Sequence, residues 1–235
     1  MKSNPGYGQF CPVAKAAEVL ATRWTPLVLR ELISGCSRFN EIHRGVPLMP
    51  RALLSRRLKE LEAAGVIERS VTGAGKSPRY HLTQAGEGLR PIIVAMGVWG
   101  QRWVESALEG PDWDAGVLMW DMRRRIDTTT LDDGTTVLAF EYGDAPAELR
   151  QWWLLIEDGI VDLCQSDPGF GVDLYVLTTV PAMGSVWIGK RSLDQALEDD
   201  EVILHGPAEL CAAFRRLLKM SVIVEAAQGP PLQLT

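Results

Sequence analysis

Between Arg38 and Lys59 stand six basic residues, Arg38, Arg44, Arg51, Arg56, Arg57 and Lys59, against one acid, Glu41. Such a cluster is suited to the phosphate backbone of a nucleic acid, whose neutralisation releases condensed counterions. Arg56 and Ser55 also carry donors of the kind that read base edges in a major groove. A second group, Lys76, Ser77 and Arg79, follows in a Gly-rich stretch, suited to backbone phosphates or to the cation-attracting narrow minor groove of A·T-rich DNA. Catalytic chemistry has no comparable grouping. His43, His81 and His205 are dispersed, and Cys11, Cys36, Cys164 and Cys211 lie far apart without a Cys-x-x-Cys pair. No nucleophile elbow, phosphate loop or metal-ligand spacing occurs, so the expectation is a protein that is not an enzyme, holds no metal and uses no cofactor. The acid pairs Asp132-Asp133 and Asp199-Asp200 fall in expected turns, where water solvates them.

The elements that must carry the basic residues follow from periodicity and breakers. Pro12 to Ile33 reads as two helices, the second entered through Thr25-Pro26, where a proline at the first turn loses no hydrogen bond. Ser34-Gly35 ends it, Arg38 to Arg44 forms a short helix, and Pro47-Leu48-Met49-Pro50 turns the chain into a helix from Pro50 to Ala64. With Leu54 set at zero and about 100° per residue, Leu58 and Leu61 fall within about 40° of it, whereas Ala52, Ser55, Arg56 and Lys59 fall between about 100° and 200°. One face packs and the other is cationic. Val66–Val71 and Arg79–Thr83 then read as a two-stranded ribbon whose loop holds Lys76 and Ser77, and Gln84 to Leu108 as a long amphipathic helix. Its stripe of Ile92, Ile93, Met96, Trp99 and Trp103 is too apolar for a solvent-facing helix and marks either a pairing surface or a face packed on the C-terminal domain.

Residues 1–110 hold 15 Lys/Arg and 9 Asp/Glu (+6), while residues 111–235 hold 9 and 21 (−12), so the net −6 conceals two regions of opposite sign. Glu109-Gly110-Pro111 separates them, giving expected domains at 1–110 and 111–227 with a tail at 228–235. The longest apolar run, Ile92 to Trp99, is too short to span a membrane, and the N-terminus lacks a signal-peptide core, so a cytoplasmic protein is expected.

Six segments resemble the HxlR-type winged-helix regulators, relatives of the MarR group. They are Cys11-Pro12-Val13, Arg23 to Leu32 (RWTPLVLREL), Arg38 to Ile42 (RFNEI), Leu54 to Leu61 (LSRRLKEL), Gly65 to Arg69 (GVIER) and Tyr80 to Thr83 (YHLT). The resemblance spans about Phe10 to Trp103. It implies a homodimer formed through the N-terminal helix and the helix after the wing, with recognition helices in successive major grooves of a roughly palindromic double-stranded DNA operator. In some members a cysteine placed like Cys11 senses thiol oxidation through a disulfide across the dimer.

In the acidic region short β-branched and aromatic runs, Thr136–Tyr142, Gln151–Glu157, Ile160–Gln165, Val172–Thr179 and Val202–His205, alternate with turn residues. Asp158-Gly159 is a type I′ hairpin signal. Helices are expected at Val117–Ile126, Leu193–Leu197 and Pro207–Met220. Trp120, Phe140, Trp152, Trp153, Tyr175, Met183 and Trp187 supply enough bulk to fill a core or to line an apolar pocket. The segments Trp152 to Cys164, Val172 to Val176, Ser192 to Leu197 and Leu204 to Leu210 resemble sterol-carrier-protein-like lipid-binding domains. That resemblance implies an α/β sandwich with a tunnel for an apolar ligand such as a fatty acyl chain.

The expected fold class is therefore α+β, an N-terminal winged helix-turn-helix plus a C-terminal sandwich with a mostly antiparallel sheet of about five strands. The expected function is a homodimeric DNA-binding transcriptional regulator modulated by an apolar small molecule. Arg38, Arg51, Ser55, Arg56, Lys59, Lys76, Ser77 and Arg79 would meet DNA, and the seven bulky residues would meet ligand. Ile92, Met96, Trp99 and Trp103 would pair the chains, and Cys11 is the redox candidate. The alternative is a C-terminal domain that serves only as a dimerisation scaffold, with control by Cys11 oxidation or by protein level.

Overall fold

The computed structural model describes residues 6–71, 77–104, 113–132 and 134–228. The chain divides into two compact units, residues 1–96 and 97–235.

In the first unit, α1 (Pro12–Leu20), α2 (Thr25–Ile33), α3 (Phe39–Gly45) and α4 (Arg51–Ala63) are followed by β1 (Ile67–Ser70) and β2 (Arg79–Leu82). Val28, Leu29, Ile42, Met49, Leu54, Leu58 and Leu61 form its core, each 2% exposed or less. Proline stands in the first turn of α1 and of α2, and Pro50 precedes α4. Gly65 ends the α4 segment at φ +70°, a left-handed conformation that glycine adopts without steric cost. Glu41 fastens the start of α3 by accepting from the backbone N–H groups of Ser37 and Arg38 at 3.0 and 2.9 Å. Glu31 is fully buried, held by Arg30 Nε at 2.9 Å and by the Cys36 thiol at 3.6 Å. A side chain at Gly45 would overlap the Glu31 carboxyl, so glycine is required there.

The long helix expected from Gln84 is broken into α5 (Gln84–Glu87) and α6 (Arg90–Trp103). Thr83 Oγ1 caps α5 by accepting from Gly86 N at 3.2 Å. Gly88 weakens the helix, and Pro91 cannot donate to Glu87 and would crowd its carbonyl, so the chain tightens through a turn and restarts. The part of the expected helix beyond Val104 lies outside the described residues. The division between units falls inside α6, ahead of the expected break at Gly110-Pro111.

The second unit contains α7 (Ala115–Arg123), β3 (Thr135–Tyr142), β4 (Gln151–Glu157), β5 (Ile160–Cys164), β6 (Leu174–Thr178), α8 (Val180–Trp187), α9 (Leu193–Glu198), β7 (Val202–His205), α10 (Ala208–Leu217) and α11 (Val222–Gln228). The five strands lie in the order β5-β4-β3-β6-β7. Among the described residues only β3 and β6 run parallel, in the register Leu138↔Leu174 to Tyr142↔Thr178, and the other pairs are antiparallel, matching the expected five-stranded, mostly antiparallel sheet. Asp158 and Gly159 close the β4–β5 hairpin at φ +51° and +75°, the two positive angles a type I′ turn requires. The core lies on one sheet face, where Leu138, Phe140, Trp152, Leu154, Leu174 and Val176 pack against α7, α8 and α10.

Helices α8 and α11 were not foreseen. In α8, Pro181 and Gly184 hide the helical pattern. Pro181 lies in the first turn, where it costs nothing, and Gly184 gives room to the ring of Trp113, which a Cβ there would overlap. The C-terminal part of α6 is tied into this unit by Gln101, whose Nε2 donates to Ile188 O at 2.9 Å, and by Ile223 of α11, which closes on Gly97.

Candidate nucleic-acid interface

The basic residues of the first unit sit on a rigid frame. Leu54, Leu58 and Leu61 are buried, while Arg51, Ala52, Arg56 and Lys59 are exposed and Ser55 is half-buried, so α4 packs along one side and offers the other to solvent. Arg51 donates to Asn40 Oδ1 at 2.6 Å and lies 4.9 Å over the Phe39 ring, which orients its guanidinium between α3 and α4. Arg56 pairs with Glu60 at 2.8 Å along the helix, and Arg57, mostly buried, pairs with the same carboxylate. An exposed i,i+4 pair contributes only about 0.3–0.5 kcal/mol, so Arg56 can leave Glu60 for a phosphate or a base at little cost. Lys59 has no protein partner among the described residues.

The base of the ribbon is pinned to the frame. Arg38 bridges Arg79 in antiparallel fashion, and Tyr80 N donates to Ser37 O at 2.7 Å. The start of α3 thus adds a third segment to the ribbon and brings Arg38, Ser77 and Arg79, all exposed, to one region. Lys76 lies outside the described residues. Asn40 joins this set through its bond to Arg51, which no periodicity could have revealed because it depends on how the turn at residues 46–50 folds back.

The other candidate residues fall as follows. On α6, Ile92, Met96, Trp99 and Trp103 are 42%, 49%, 61% and 67% exposed and lie within about 60° of one another on the helix, whereas the adjacent Ile93 is turned inward. On the other proposed pairing segment, Phe10 and Val13 are also exposed. Cys11 is a free, half-buried thiol preceding α1.

The seven bulky residues of the second unit do not gather at one place. Phe140, Trp152, Met183 and Trp187 are packed in the core. Trp120 is buried on α7 beneath the Arg123 guanidinium, 4.0 Å from the ring centroid. Trp153 and Tyr175 stand on the opposite sheet face, as alternation along a strand demands of neighbours such as Trp152 and Trp153. Two cavities of this unit are lined by other residues: a groove of about 820 Å³ bordered by α8, α9 and the β6–β7 end of the sheet, and a smaller pocket of about 230 Å³ beside Trp113 and Leu149. Burial, then the nearby Asp144, pushes the Tyr142 phenol up, and its hydroxyl donates to Met119 Sδ at 3.0 Å, so Tyr142 acts as a neutral core residue. Burial, then Asp162, pushes the Cys164 thiol up, which disfavours the reactive thiolate.

A helix-turn-helix whose second helix is apolar inside and cationic outside, followed by a ribbon fastened to the frame, defines a DNA-binding transcriptional regulator of the winged-helix class. Residues 19–108 match the model of the HxlR-like helix-turn-helix family. The uncharacterized HTH-type transcriptional regulator YvaP of Bacillus subtilis is 37% identical over 103 residues, 42% of this chain and 94% of that relative. An uncharacterized HTH-type transcriptional regulator of Methanothermobacter thermautotrophicus is 38% identical over 112 residues, 42% of this chain and 85% of the relative. The reduced form of the transcriptional regulator YodB from B. subtilis is 32% identical, covering 41% of this chain and 97% of that one at a TM-score of 0.37. The chain belongs to the HxlR-like helix-turn-helix family. Among the described residues no helix is long and apolar enough to cross a membrane.

Proposed function

We propose that the chain works in the cytoplasm as a homodimeric, sequence-specific regulator that lays α4 of each protomer into a major groove of a roughly palindromic operator. The observation that carries this reading is the division of α4 into a buried leucine face and a solvent face bearing Arg51, Ser55, Arg56 and Lys59. Arg56 and Ser55 meet base edges. Arg38, Arg51, Lys59, Ser77 and Arg79, with Lys76, meet the backbone and the adjacent minor groove. The exposed stripe Ile92, Met96, Trp99 and Trp103 pairs the protomers, because an apolar stripe of that size left in water favours association. The second unit is a sterol-carrier-protein-like sensor of an apolar small molecule, which can act only through different affinities for the two dimer geometries.

Selection of DNA from a random pool by the full chain, followed by binding titrations of the selected site, tests the reading. Enrichment of a two-fold symmetric site whose base preference relaxes in Arg56→Ala supports it, and recovery of no preferred site overturns it. The packing of Phe140, Trp152, Met183 and Trp187 into the core favours a second reading, in which the C-terminal unit is a dimerisation scaffold and control falls to Cys11 oxidation or to protein level. Native mass spectrometry separates the two. Extra mass on the dimer that is lost on denaturation supports the sensor, and a Cys11→Ser variant that keeps all regulation removes the redox form of the scaffold.

A further inference from the structure

We propose that the ligand site of the C-terminal unit is the groove at the β6–β7 end of the sheet rather than the aromatic core, and that it takes a monocarboxylate with a compact apolar body. The proposal rests on the reading of this unit as a sensor. The groove, of about 820 Å³, has the volume of a small-molecule site. One side is apolar, with Leu177 and Ile203 from the sheet and Pro181 and Ala182 from the outer side of α8. The remaining lining is polar and unevenly satisfied.

Arg191 carries the argument for charge. Its guanidinium holds Glu201 at 2.7 Å and also pairs with Asp199, so both carboxylates are engaged, while its Nε–H is buried with no acceptor. Lys190 beside it is exposed and has no protein partner among the described residues. Among the described residues Ser185 forms no side-chain hydrogen bond, and Gln195 uses only its Oε1, accepting from Ser192 N at 3.2 Å, which leaves its amide donors free. Lys190, Ser185 and Gln195 therefore offer free donors to the groove, and an unpaired donor is stabilised by an acceptor that a ligand brings. Asp200 is the remaining charge in the lining and carries no protein partner among the described residues. Lys190 and Arg191 stand against Asp199, Asp200 and Glu201, so the lining holds one negative charge in excess. The free Lys190 ammonium can pair with one carboxylate at its end of the groove, and the acidic excess disfavours a dianion such as phosphate. The wall of Leu177, Ile203, Pro181 and Ala182 then takes the apolar body.

Calorimetric titration of the full chain with 3-phenylpropionate tests the proposal, with the uncharged 3-phenylpropionamide as comparison. The acid should bind with a Kd on the order of 1 mM or tighter, and the amide about tenfold more weakly, as expected for loss of a charge-assisted contact. Lys190→Ala, a surface change, should weaken the acid about tenfold and leave the amide unaffected. Ala182→Trp, which fills the groove, should abolish both, with its thermal transition checking the fold. No binding of the acid, equal binding of acid and amide, or binding indifferent to Lys190→Ala overturns the site. The sensor reading fails separately. If the acid binds as described but leaves affinity for the selected DNA site unchanged, the site stands and the sensor does not.

Discussion

Tryptophan meets opposite fates in two parts of the molecule. On α6, Trp99 and Trp103 stand 61% and 67% exposed on an apolar stripe, whereas on α7, β4 and α8 Trp120, Trp152 and Trp187 are 1–7% exposed. The exposed rings of α6 are the ones proposed above to be covered by association. Around the sheet the same bulk is already covered by the chain itself at Trp120, Trp152 and Trp187 and has become the interior. Aromatic richness alone therefore does not separate a pocket from a core. What separates them is whether the chain's own elements already enclose the rings.

The sharpest way to break that comparison is to empty the core. Phe140→Ala should destabilise the C-terminal unit by about 3–5 kcal/mol in urea unfolding, the range for deleting a buried aromatic side chain. A loss below about 1 kcal/mol would mean that the surrounding residues line a space rather than fill it. On the exposed side, Trp99→Ala should cost about 2–4 kcal/mol of association free energy by analytical ultracentrifugation while leaving the folded content by circular dichroism intact. An unchanged dimer would remove α6 from the pairing surface. Arg56→Ala should cost about 1–3 kcal/mol on the selected DNA site and relax its base preference. Its folding stability should change by less than about 0.5 kcal/mol, since the exposed Glu60 pair is all it loses in the protein. Lys59→Ala should weaken all DNA sequences alike and lower the salt slope by about one unit.

The smallest effect concerns acid stability. Bonds from Thr129, then from Lys219, hold the Asp127 carboxyl below its ordinary value of 3.8. A depressed carboxyl adds stability above its unfolded value, and that stability disappears as the pH falls through the folded value. Asp127→Asn should therefore narrow the difference in urea midpoint between about pH 5 and pH 3. An unchanged difference would show that the carboxyl does not titrate differently in the two states.

The frame of the nucleic-acid interface was legible because its signals are local. Pro26, Pro50 and Gly65 punctuate the helices, and Leu54, Leu58 and Leu61 recur at the helical period, so the outward set on α4 followed by subtraction. The five strands were legible for a similar reason, through their alternation and the Asp158-Gly159 turn. The ligand set was not, because pocket and core draw on the same residue types and only tertiary packing separates them. Part of that difficulty was nevertheless present in the chain. Trp152 and Trp153 are adjacent on β4, and a period of two forbids them from facing one space. The groove at Arg191 left no sequence signature, since it joins residues from α8, α9 and the sheet whose proximity depends on an unforeseen helix.

The parallel pairing of β3 with β6 governs how fast the C-terminal sheet can form. Every other pair in that sheet joins strands separated by a turn or by a stretch that includes helices α8 and α9, but each runs antiparallel. Strand β6 must instead return alongside β3 after the whole β4–β5 hairpin has been made. That ordering puts loop closure ahead of the contacts that reward it, a slow step, whereas the helices and short ribbon of the first unit rely on local contacts. During synthesis the basic unit also emerges first. A refolding experiment should accordingly show two phases, an early one reporting the helical unit and a later one in which Trp152 becomes protected.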